Sequence, residues 1–210
     1  MQTDGNTYDL TDEQLHNWYL LLNDNEGKRT HYYYSLLSKY SLPAWGIESL
    51  EEPIQVSDEK FKTIYAFNGV ICTVEDYSIV KQTLRNFYDM LDDGGVLLID
   101  LPAQWKKLCN ADQKTWQVGR RCTNPETGET FSYSYYDEVD FTEQLFTTHF
   151  RYEVSINNVI KAVKTDTATM RWYGVHEFET LLSEAGFDSI KYQTIMADEN
   201  SSFILFEAVK

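Results

Sequence analysis

Leu91-Asp92-Asp93-Gly94-Gly95-Val96-Leu97-Leu98-Ile99-Asp100-Leu101 is the stretch on which the fold of this chain turns. Val96 to Leu101 is a nearly continuous apolar run, the pattern of a strand covered on both faces, as strands of parallel sheets are. The glycines before it can end a helix, because glycine enters the left-handed conformation at little cost. A helix does lead up to them: Val80, Leu84, Phe87 and Leu91 share one helical face, behind Thr73-Val74-Glu75-Asp76, which has the form of a capping box. Further upstream, Phe61 to Asn68 is rich in aromatic and β-branched residues and closes on Asn68-Gly69, which predicts another strand. A strand, a crossover helix and a strand imply a right-handed parallel unit.

Downstream the periodicity changes. From about Gln117 to Tyr173 the character alternates with a period of two, over Thr130 to Tyr136, Leu145 to Ile156 and Val159 to Met170. The turn pairs Asn124-Pro125, Thr127-Gly128 and Asn157-Asn158 separate these runs, so an inserted antiparallel sheet is predicted over 117–173. Arg171-Trp172-Tyr173-Gly174-Val175-His176-Glu177-Phe178-Glu179-Thr180-Leu181-Leu182-Ser183-Glu184-Ala185-Gly186-Phe187 then carries Phe178, Leu181, Leu182 and Ala185 at helical spacing, and Gly186 stops it. Strands over Ser189 to Met196 and Ser202 to Val209 finish the chain. Upstream, Thr11-Asp12-Glu13-Gln14 reads as a capping box for a helix through Leu15, Trp18, Tyr19 and Leu22. Asn23 to Gly27 breaks that pattern, Tyr33, Leu36, Leu37 and Tyr40 restart it, and a short strand falls within Trp45 to Val56. The 210 residues are read as one α/β domain with this antiparallel insertion.

The ordered co-occurrence of these segments from Phe61 to Lys210 resembles the class I S-adenosylmethionine-dependent methyltransferases that act on small molecules, and is similar to sugar-amine and glycine N-methyltransferases. The resemblance implies a Rossmann-like methyltransferase sheet, here shortened in its N-terminal half. It also implies a cofactor turn of the form G-x-G-x-G after a strand that ends in an acid, since glycine lets the backbone approach the ligand. A second acid, closing the next strand, accepts hydrogen bonds from the ribose hydroxyls.

Three placements of that turn are open. Leu20 to Gly27 puts Asn23, Asn25 and Gly27 at the glycine positions, with Leu21 at the acid and Glu48 as the ribose acid; asparagine tolerates left-handed backbone better than other side chains. Gly46 to Pro53 retains one glycine, and reading the first 40 residues as two helices leaves no cofactor turn. The segment 49–60 is too short for the helix, strand and adenine-contacting acid that the family fits there, so a unit is missing. Aromatic side chains of the first helices, such as Trp18, Tyr33 or Tyr40, are then expected to fill the vacated cleft beside Asn68.

Asn68 and Gly69, at the carboxyl end of a parallel strand, stand where ligands of open α/β sheets bind. Within the insertion, Tyr133, Tyr135, His149, Arg151, Arg171 and Tyr173 are candidates to face a methyl acceptor. His149 or Tyr135 would draw the proton, and Arg151, Arg171 and Tyr173 would hold the substrate. The resemblance therefore supports two functions. One is a methyltransferase-like protein whose S-adenosylmethionine site is reduced or lost, acting by binding, as a homodimer or partner subunit through the inserted sheet. The other is an active enzyme methylating a small amine or hydroxyl.

Composition narrows the classes. Thirty-three Asp and Glu against 18 Lys and Arg give a net charge of −15, which repels nucleic acid and anionic membrane surfaces. No apolar run approaches the roughly 20 residues of a membrane span, and the first residues lack the pattern of a secretory signal. Cys72, Cys109 and Cys122 form neither a CxxC pair nor an even set, as expected of reduced thiols in the cytoplasm. His16, His31, His149 and His176 show no metal-ligand spacing.

Overall fold

The computed structural model describes residues 26–50, 54–103, 108–109, 114–196 and 202–210. It is a mixed α/β structure that divides into two compact units. The larger comprises Gly27–Lys106, Asp140–Phe146 and Thr169–Lys210; the smaller includes Thr147–Ala168 and the strand residues between 117 and 139.

The larger unit is built on a five-stranded sheet. Its strands are β1 (Ala44–Ile47), β2 (Phe61–Ala66), β3 (Leu91–Pro102), β8 (Ser189–Met196) and β9 (Ser202–Val209), in the spatial order β1-β2-β3-β9-β8. β1, β2 and β3 run parallel, β9 runs antiparallel to β3, and β8 runs antiparallel to β9. Alternation sorts the side chains of β3 and β9 to two covered faces. Leu97, Ile99, Leu101, Ile204, Phe206 and Ala208 pack with α2 (Tyr77–Met90) and α3 (Val175–Glu184), through Val80, Leu84, Phe87, Phe178, Leu181 and Leu182. Leu98, Phe203 and Leu205 pack on the other face against Tyr33 and Leu36 of α1 (Glu26–Leu37). From Leu97 to Leu101 β3 is buried on both faces, and all of that stretch but Asp100 is apolar.

Several boundaries differ from the sequence reading for identifiable reasons. α1 includes Glu26 and Gly27, inside the segment read as a break. The cap of α2 is Asp76, not Thr73: its carboxylate accepts the Ser78 N–H, while the Thr73 hydroxyl donates to the Val70 carbonyl at 2.8 Å. That helix ends at Met90, and Gly94 spends its left-handed φ of 71° on an irregularity in β3. There the Gly94 N–H meets the Lys210 carbonyl, and Lys210 N–H donates to Gly95, so the glycines receive the end of the chain. The helix predicted through Leu15 to Leu22 lies outside the described residues.

The inserted strands form a four-stranded antiparallel sheet in chain order: β4 (Gln117–Thr123), β5 (Glu129–Asp140), β6 (Leu145–Ile156) and β7 (Val159–Arg171). Asn157 and Asn158 join β6 to β7 with φ of 50° and 62°, the paired left-handed residues of a tight hairpin turn. In the smaller unit one face of this sheet packs Phe131 and Val154 with Tyr133 and Tyr152.

Candidate functional site

β2 delivers the chain to the carboxyl edge of the parallel strands and turns it there. Phe67 is followed by Asn68 and Gly69, both left-handed at φ of 62° and 66°, and then by a short 3-10 turn over Val70–Thr73. A β-carbon at Gly69 would lie 2.7 Å from the Pro102 ring, so both conformation and space demand glycine here. This tight turn aims the Gly69 N–H at Asp100 Oδ1, 2.7 Å away.

Asp100 is the one acid in the apolar part of β3, and it is fully buried. An unpaired carboxylate in that place would cost several kcal/mol. The chain supplies three donors instead. Besides Gly69, the Tyr33 hydroxyl donates to Oδ2, and Arg29 Nη2 reaches the same oxygen at 3.1 Å. Arg29 Nε also donates to the Tyr33 oxygen at 2.6 Å, closing the network. Burial alone would lower the Arg29 pKa, but the attraction of Asp100 and Tyr33 outweighs it and the net shift is upward. Burial first, and then the Asp100 charge, push the Tyr33 phenol up, so it stays protonated as the donor. The same two causes, in the same order, hold Cys72 as a thiol.

α1 therefore packs over this end of the sheet. The Tyr33 ring stacks on Phe67 at 4.2 Å between centroids with 9° between planes, and the Arg29 guanidinium lies 4.6 Å over Phe203. Tyr33 occupies the region beside Asn68 that the sequence reserved for an aromatic side chain. Tyr40 donates to Glu207 against the same cluster, and Trp18 lies outside the described residues. Next to the exit of β1, Leu50, Val74 and Ile79 line a groove of about 500 Å³ with Ser49, Glu75 and Asp76.

The other residues singled out from sequence separate into groups. Gly27 stands in the first turn of α1, while Asn23 and Asn25 lie outside the described residues. Glu48 is exposed directly after β1, whose exit leads to no glycine before Gly69. Arg171 is buried and works as a clamp: Nε and Nη2 donate to the Glu75 carbonyl and Nη1 to the Glu143 carbonyl at 2.6 Å, tying the start of α2 to the β5–β6 turn. Tyr173 is buried against Phe178, its hydroxyl without a hydrogen-bond partner among the described residues, and burial raises its pKa.

His149, Tyr135 and Arg151 belong to the smaller unit. His149 stacks on Tyr136 at 4.4 Å and meets Glu138 at 2.9 Å, and Glu138 also holds Lys114 at 2.6 Å. Tyr135 shares the opposite face with Tyr133, which clusters with Phe150 and Tyr152. The strand period thus parts the proposed proton acceptors, and His149 and Tyr135 cannot act together on one substrate. Arg151 is partly exposed and pairs with Glu153 at 2.7 Å.

Asp100 and Arg29 were missed by the sequence reading. The available signal was a lone acid inside a doubly covered strand, which has to find a cation or several donors.

Set beside solved structures, this architecture has clear counterparts. An S-adenosylmethionine-dependent methyltransferase from Clostridium acetobutylicum superimposes with a TM-score of 0.53 at 12% identity, over 75% of this chain and 61% of that one. An amino pentose methyltransferase from Micromonospora echinaspora involved in calicheamicin biosynthesis gives 0.53 at 13% identity over the same shares. A sugar N-methyltransferase from Streptoalloteichus gives 0.52 at 15% identity, over 75% of this chain and 59% of that one. The fold is like that of the class I methyltransferases, and the chain spans about three-fifths of the length of these solved structures. No family model and no curated protein matches the sequence.

Proposed function

We propose that this chain is a methyltransferase-like protein whose S-adenosylmethionine site is reduced or lost, and that it acts by binding, as a partner of another protein or of its own copy. The observation that carries the reading is the Arg29–Tyr33–Asp100–Gly69 network, in which the protein's own side chains occupy the carboxyl end of the central parallel strands. A flat ring stacked on Phe67 and a cation on Asp100 are the groups a ligand would present there, and α1 supplies both. The glycine-free exit of β1 supports the same reading, since a backbone turn that approaches a nucleoside closely needs residues without side chains. The aromatic side chains of the inserted sheet suit a protein interface, where tyrosine is enriched. The free cysteines accord with a reducing, cytoplasmic setting, and no described helix is long and apolar enough to cross a membrane.

The groove of about 500 Å³ favours a second reading, because small-molecule sites commonly have volumes of this size. In that reading S-adenosylmethionine binds with Glu48 on its ribose, and Asn23, Asn25 and Gly27 form its cradle. A small amine or hydroxyl then takes the methyl group by in-line transfer, which needs positioning and a weak base such as His149 or Tyr135. Calorimetric titration with S-adenosylmethionine and S-adenosylhomocysteine separates the two. No heat of binding is expected at millimolar ligand. Micromolar binding that Glu48→Ala abolishes overturns the first reading in favour of the second.

A further inference from the structure

Among the described residues β1 is the last strand on its side of the sheet, and its outer edge carries unused backbone groups. The Pro43 carbonyl accepts from the Lys62 and Thr63 N–H groups at 2.9 and 3.3 Å, so it points to β2. Backbone groups of successive strand residues point to alternate sides, so Trp45 and Ile47 also address β2, in register with Ile64 and Ala66. Ala44 and Gly46 therefore turn their N–H and C=O outward, a template for another strand. The connection returning from β1 is drawn toward α2, where the Asn86 side chain donates to the Ile54 carbonyl.

The surroundings of this edge are apolar and acidic. Leu42, just before β1, is 81% exposed, and Val56 on the return connection is 50% exposed. At the carboxyl end of β1 the groove lined by Leu50, Val74 and Ile79 also includes the exposed acids Glu75 and Asp76, and exposed Glu48 adjoins it in the chain.

The geometry points to a docking surface here for an extended segment of a different protein, one that adds as a strand beside Ala44–Ile47 and carries both apolar and basic side chains. Main-chain hydrogen bonds would supply affinity, and alternate side chains entering the groove would supply selectivity. The basic character follows from charge: the groove is acidic and the whole chain carries −15, so a second copy is repelled where a cationic segment is attracted. The inference rests on the reading of this chain as a partner protein and names the surface and chemistry involved.

The test uses the full chain and two synthetic nonapeptides, one alternating valine with lysine and the other valine with glutamate. Hydrogen exchange at the Ala44 and Gly46 amides is the readout. The basic peptide is expected to slow both amides at least tenfold and saturably, and the acidic one to leave them unchanged. Ala44→Pro removes an outward donor without touching the ladder to β2, and Glu75→Gln removes an acid whose carbonyl role toward Arg171 persists. Each should weaken the peptide at least fivefold; should Ala44→Pro fail to fold, Glu75→Gln decides. Equal protection by both peptides, none by either, or indifference to Glu75→Gln overturns the proposal. So does a concentration-dependent dimer in sedimentation that Ala44→Pro dissolves, which would assign the edge to a second copy. S-adenosylmethionine titration remains a separate readout, so peptide binding alongside cofactor binding would keep this surface and reject the reading of a lost site.

Discussion

Replacing Tyr33 by phenylalanine removes one hydroxyl, with the two hydrogen bonds it makes, from the end of the sheet that α1 covers. The ring keeps its stack on Phe67 and its contact with Phe203, so the change isolates the two hydrogen bonds of the hydroxyl, its donation to Asp100 and its acceptance from Arg29 Nε. A hydrogen bond to a buried charge is worth about 1.5–3 kcal/mol net. Asp100 retains the Gly69 N–H and Arg29, so the loss belongs in the lower part of that range, about 1.5–2 kcal/mol. For a chain of this size that lowers Tm by roughly 3–8 °C. Tyr33→Ala also gives up the buried ring and should cost about 3–5 kcal/mol. Equilibrium urea unfolding followed by near-ultraviolet circular dichroism measures both variants. Because Tyr33 and Asp100 are in contact, Tyr33→Phe and Asp100→Asn should be non-additive by about 1 kcal/mol or more. If Tyr33→Phe matches the parent within about 0.5 kcal/mol, or the two changes simply add, then α1 is not latched through Asp100. The Arg29–Tyr33–Asp100 network would then not hold α1 over the end of the sheet.

Two further outcomes follow from the same geometry. Gly69→Ala and Gly94→Ala both place a side chain at positive φ, a backbone cost of about 1–2 kcal/mol, but only the Gly69 β-carbon meets a neighbour, the Pro102 ring at 2.7 Å. Urea unfolding should find Gly69→Ala the more destabilising, and equal losses would contradict the close approach. Glu138 is held below the usual carboxylate range by hydrogen bonds from Lys114 first and His149 second. A depressed folded pKa stabilises the protein above the unfolded value and loses that contribution as pH falls through the folded one. The small Tm difference between parent and Glu138→Gln should therefore be present at neutral pH and close below about pH 4, and a gap that stays open at still lower pH would refute the pairing.

Most of the architecture was legible because it depends on local periodicity. The apolar run from Val96 to Leu101 could only be a strand covered on both sides, and the structure buries it between α1 and the α2–α3 layer. The change to a period of two after Gln117 marked the antiparallel sheet, and Asn157-Asn158 marked its hairpin. Glycine and asparagine announced the Asn68-Gly69 turn, because few other residues adopt two left-handed conformations in succession.

Sequence by itself thus determined the class of fold and the position of the insertion, since each is written in spacing along the chain, and the resemblance to the methyltransferases added the shortening between Glu48 and Phe61. Tertiary structure alone decided which neighbours the candidate residues have. Arg171, a plausible substrate ligand by type, is a buried clamp on two backbone carbonyls far away in sequence. His149 and Tyr135 are parted by the two faces of their sheet. Arg29 and Tyr33 find Asp100 across 71 and 67 residues, a pairing that no local pattern encodes. The physical reason is the same in each case. Periodicity reports which side of an element faces away from water, whereas a buried charge or donor takes whichever partner the assembled layers bring within hydrogen-bonding distance.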